Sequence, residues 1–122
     1  MGVRKNNFFK GFTLVELLIA VVILISAIGG ALLSLTHCIL LNETNSNLAV
    51  AANDAQFVLE QVKELAYGNI SSYTPPVFTN LNNENVTVQR TYDSGLVEVT
   101  VNVEWEQRQR TMWFNLSTRI AD

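Results

Sequence analysis

The sequence predicts an α+β protein: a long N-terminal α-helix, membrane-spanning in its first half, with its second half packed on a small antiparallel sheet of about three strands. Three observations carry this. An apolar run without a single Asp, Glu, Lys or Arg extends from Leu17 to Asn42. A stripe of small and aliphatic residues then recurs at three- and four-residue steps from Leu48 to Ala66. Finally, Val97, Val99, Val101, Val103 and Trp105 alternate with Glu98, Thr100, Asn102 and Glu104, the period of a half-buried strand.

The elements follow in chain order. Residues 1–11 form a short polar leader with Arg4, Lys5 and Lys10 and no acid. Residues 12–41 are apolar all round, and about 20 such residues cross a bilayer core as a helix. Gly29 and Gly30 lie within this run, where glycine permits close helix approach or bending. Residues 42–122 form the domain outside the membrane. Its helix carries Leu48, Ala51, Ala52, Ala55, Leu59, Val62 and Ala66 on one face, with Asp54, Gln61 and Lys63 off it. The helix is expected to run from residue 12 to about 67, with Gly68 as its C-cap and Pro75–Pro76 as the stop. "NVTVQRTY", "LVEVTVNVEW" and "RTMWFNL" are the expected strands, joined through Asp93–Gly95 and through Glu106–Gln109. Only the helix stripe can cover the apolar face of this sheet.

Charge bounds the function. The chain carries a net −3, yet the leader is basic, so the part after Gly11 is distinctly acidic. An acidic domain lacks the basic surface that nucleic-acid binding requires. Basic residues before a membrane segment place the N-terminus in the cytoplasm and the domain on the far side. Catalytic inventory is thin. His37 is the only histidine and Cys38 the only cysteine, so no disulfide and no Cys/His metal cluster can form within the chain. Glu98 and Glu104 share a strand face, which reads as a solvated surface rather than an acid/base pair. No glycine-rich phosphate loop is present. No cofactor, metal or enzymatic activity is expected.

The leader is the informative motif. A secretory signal places its small-residue cleavage site after the apolar core. Here Gly11 precedes the core, and "LTHCILLNETN" beyond it offers no small-x-small site. Processing at Gly11 would leave the apolar helix on the mature chain. Glu16 is the one charged side chain at the head of that helix, and a carboxylate in such a place needs a partner.

"KGFTLVELLIA", Lys10 to Ala20, resembles the leader junction of type IV pilins and type II secretion pseudopilins. The resemblance is close over residues 8–35; the ending "VTVNVEWEQRQRTMWFNLSTRI" looks like small minor subunits at the level of pattern alone. It implies cleavage after Gly11 by a membrane prepilin peptidase, methylation of the new amine of Phe12 by the same enzyme, and a part in assembly for Glu16. It implies as partners the peptidase/methyltransferase, other pilin or pseudopilin subunits, an inner-membrane assembly platform and lipid. The expected location is the inner membrane, single-pass, and then a filament. The lack of a C-terminal cysteine pair and the small size favour a minor subunit. The alternative expectation is a membrane-anchored binding or adhesion module that uses Glu98, Glu104 and Trp113 on the exposed sheet face.

Overall fold

The computed structural model describes Gly2, Gly11 and residues 13–122. The chain forms two compact units, Met1–Leu41 and Asn42–Asp122. Helix α1 spans Leu14–Glu64 and contributes to both; a 3-10 helix follows at Tyr67–Ser72, then β1 (Asn85–Asp93), β2 (Leu96–Gln107) and β3 (Arg110–Ala121). The expected class holds: one long helix and a three-stranded antiparallel sheet in the order β1-β2-β3.

In the N-terminal unit, α1 is helical without interruption through Gly29 and Gly30. Its aliphatic side chains are exposed on every side. Two of its hydroxyls are turned back onto the helix: Ser26 Oγ donates to the Val22 carbonyl at 2.8 Å and Thr36 Oγ1 to the Leu32 carbonyl at 2.9 Å. Such back-bonding satisfies polar groups where no water can.

In the second unit, Ala51, Ala55, Val58, Leu59 and Val62 of α1 are buried against Val97, Val99, Val101, Val103 and Trp105 of β2. Small residues on the helix let it approach the valine row closely. Fully burying each valine or leucine contributes about 1.5–3 kcal/mol. The flanking strands are only half-covered, with Val86 and Val88 of β1 and Met112, Phe114, Leu116 and Ile120 of β3 packed at the margin of the core. Both hairpins are two-residue turns. Ser94 and Gly95 have φ of 47° and 83°, and Arg108 and Gln109 have 52° and 62°. Two left-handed residues in succession match the twist of the strands they join.

Three sequence expectations change. The helix ends at Glu64 rather than near residue 67, and Gly68 lies inside the 3-10 helix instead of capping α1. The Leu65 amide turns back to the Val62 carbonyl at 3.2 Å, and Ala66 is extended at φ −61°, ψ 145°. This early turn carries Ile70 into the core, where it is fully buried. The buried stripe also shifts: Ala66 is exposed, Leu48 is largely so, and Val58 and Asp54 join the covered face. The second turn is Arg108–Gln109, because β2 continues through Gln107.

Polar side chains fasten the tip of the second hairpin to the helix. Arg108 pairs with Glu43, Gln107 Nε2 donates to Thr44 Oγ1 at 3.0 Å, and Asn47 Nδ2 donates to Gln107 Oε1 at 3.3 Å. On the other side the connection to β1 packs through its aromatics. Phe57 meets Phe78 edge-on at 6.1 Å, and Tyr73 donates its hydroxyl to Gln61 Oε1 at 2.7 Å. Burial raises the Tyr73 pKa above the usual tyrosine value.

Candidate functional site at the head of the helix

The sequence places its candidate site at Gly11, Phe12 and Glu16. Phe12 and most of the expected leader, residues 1–11, lie outside the described residues. Gly11 is exposed. A methyl group at Gly11 would meet nothing within 4 Å, and its backbone is outside the left-handed region. Among the described residues nothing therefore demands glycine there. If the position requires one, the requirement is set by whatever reads it.

Glu16 sits in a built local arrangement. The Leu17 amide donates to the Thr13 carbonyl at 3.1 Å, the first bond of the helical ladder, which makes Thr13 the N-cap. The Glu16 amide donates to Thr13 Oγ1 at 3.2 Å, and the Thr13 amide donates to Glu16 Oε2 at 3.2 Å. This is a reciprocal capping box, which satisfies two backbone donors at a helix end that would otherwise be orphaned. The carboxylate also faces the positive end of the helix dipole. Thr13-x-x-Glu16 is a capping-box spacing, so this role was available from sequence, although hydropathy singles out the charge instead.

Beyond this box, Leu14, Val15, Leu17, Leu18 and Ile19 are all more than half exposed. The helix includes a stretch long and apolar enough to cross a membrane, none of it covered by the chain itself.

Residues 6–33 match the family model of the prokaryotic N-terminal methylation motif. No curated protein and no solved structure matches the chain. The matched segment covers Gly11, Phe12, the capping box and the first part of the apolar helix. It supports a precursor of type IV pilin or pseudopilin type, a structural rather than catalytic class. A long apolar N-terminal helix fits membrane anchoring of such a protein.

The remaining candidates are dispersed. Glu98 pairs with Arg119 at 3.3 Å, while Glu104 accepts from Asn102 Nδ2 at 3.1 Å. Six residues apart along β2, they lie roughly 20 Å from each other at 3.4 Å per residue. Trp113 stands opposite Glu104 in the register and is 66% exposed. Shallow clefts of ≈ 170 Å³ and ≈ 220 Å³ flank the two glutamates separately. His37 and Cys38 are exposed on α1. Among the described residues, no three His, Cys, Asp or Glu side chains gather as metal ligands.

Proposed function

We propose that the chain is a minor pilin or minor pseudopilin, a structural subunit of a type IV pilus or of a type II secretion pseudopilus. A membrane prepilin peptidase cuts the precursor after Gly11 and methylates the amine of Phe12. The apolar helix stays on the mature chain, first holding it in the inner membrane with the leader cytoplasmic and the acidic domain outside. It then packs against other subunits as an assembly platform draws them into a filament. The single observation that carries this reading is the methylation-motif match over residues 6–33. Gly11 supports it, because a glycine that no described residue crowds suits recognition by another protein.

In this reading Glu16 has a second role beside the cap. The amine exposed at Phe12 stays basic after methylation, and Glu16 of a neighbouring subunit accepts it. In a low dielectric that attraction is strong and fixes the axial register between chains. The test is Gly11→Val. A peptidase that accepts only the smallest side chain before the scissile bond leaves this variant as full-length precursor in the membrane, as an immunoblot of membrane fractions would show. Processing of the valine variant at the wild-type rate would remove the reading.

A further inference from the structure

Among the described residues Asp54 is the one buried charged side chain, 8% exposed on the covered face of α1. Asn80 Nδ2 donates to both its oxygens, at 3.2 and 3.1 Å. Beside it stands Glu84, in the turn that leads into β1. Glu84 Oε2 accepts the Asn80 amide at 2.9 Å and the Leu81 amide at 3.1 Å, which closes the turn. Glu84 Oε1 is buried without a donor, and Asn80 ties the two carboxyl groups together, its backbone amide on Glu84 and its side-chain amide on Asp54. Two carboxylates in contact repel each other unless a cation or a proton lies between them.

Among the described residues neither carboxylate is in an ion pair, and the half-buried Arg90 of β1 donates to the Tyr73 carbonyl instead. One turn to either side of Asp54, α1 carries Val50, Ala51, Phe57 and Val58. The turn itself adds only asparagines and Leu81. From β2 the titratable neighbour is another acid, Glu106, whose carboxylate accepts from Asn83 Nδ2 at 2.6 Å. The two ion pairs among the described residues, Glu43–Arg108 and Glu98–Arg119, do not involve either carboxylate.

We propose that Glu84 Oε1 carries a proton and donates it to Asp54, so that the Asn80–Glu84 turn is latched onto α1 by a shared proton and is released as the pH rises. The proton supplies the missing donor and removes one of the two charges, which a lone carboxylate pair cannot do. Burial first, and then the Asp54 carboxylate, push the Glu84 pKa above its ordinary value, against a smaller opposing pull from the Leu81 and Asn80 amides. A pKa raised on folding gives stability that is complete below the unfolded value, about 4.3 for glutamate, and is lost as pH climbs through the folded value. The latch is therefore strongest in mild acid.

Glu84→Gln separates this from ordinary packing. Its amide oxygen can accept the two backbone donors while its NH₂ replaces the proton toward Asp54. Asp54→Asn supplies an amide donor from the other side. The full chain in detergent micelles is melted between pH 4 and 8, followed by tryptophan fluorescence. The wild type should lose several degrees of melting temperature relative to Glu84→Gln between pH 4 and pH 8, with the two nearly equal at pH 4, and Asp54→Asn should also flatten the profile. A difference between wild type and Glu84→Gln that stays constant with pH would overturn the proposal. So would millimolar calcium raising the wild-type melting temperature at pH 8 and EDTA reversing it, since a metal ion would then be the bridge.

Discussion

At Glu16 the carboxylate accepts the Thr13 amide proton while Thr13 Oγ1 accepts that of Glu16, so part of what keeps a charge at the head of an apolar helix is local. A carboxylate costs ~2.5–3.5 kcal/mol at a membrane helix centre and less near the end, where this one lies. Two substitutions divide the local role from the proposed inter-subunit one. Glu16→Gln retains a side chain that can complete a capping box but removes the charge. Glu16→Ala removes both, at a cost of about 1 kcal/mol of helix-end stability. Both variants should be cleaved and inserted, and both should enter filaments poorly when their content in sheared filaments is measured against wild type. Glutamine incorporating at the wild-type level would leave the cap as the whole account. Gln109 offers a second test at this scale. It is exposed and held at φ 62°, a conformation that costs a non-glycine residue about 1–2 kcal/mol. Gln109→Gly should raise the melting temperature of the domain by a few degrees, measured by circular dichroism, while leaving the Arg108–Glu43 pair in place. This strain was not legible in "EQRQ", which has neither the glycine nor the asparagine that announces such a turn.

Among the elements, the strand pattern was the most legible because one period of two had only one face to bury. Val97 to Trp105 all point inward as their alternation predicts. The helix face was legible only in part. Ala51, Ala55, Leu59 and Val62 were readable from spacing, but the covered face also takes in Asp54, whose partners Asn80 and Glu84 lie in a distant loop. No local pattern announces a polar group that is satisfied by a later segment. The end of α1 escaped for the same reason: Gly68 looks like a cap, yet the helix stops earlier because burying Ile70 requires a turn. The centre of the helix–sheet contact gives a direct prediction. Ala55 is fully buried, so Ala55→Asp places an unpaired charge between the layers. That costs several kcal/mol, comparable to the whole stability of so small a domain. The variant should show no cooperative thermal transition by tryptophan fluorescence, and coincident melts of variant and parent would mean that the helix does not pack there.

For the whole molecule, the division at Leu41–Asn42 coincides with a change in what each part needs from its surroundings. The N-terminal unit exposes aliphatic side chains on every face, whereas the second unit buries its own. Residues 42–122 expressed alone should be soluble and fold without lipid, with a single melt and a dispersed amide spectrum; aggregation in the absence of detergent would contradict this. Among the described residues nothing crowds a side chain at Gly11, so the fold described here supplies no reason for a glycine there. A pilin-type role therefore depends on processing before it depends on any contact within the chain. The measurement that tests it most directly is the intact mass and N-terminal sequence of the mature protein recovered from the membrane. The expected product begins at Phe12, carries one methyl group on its amine and retains the apolar helix. A mature chain that begins at Met1, or at any residue beyond Leu35, would contradict it.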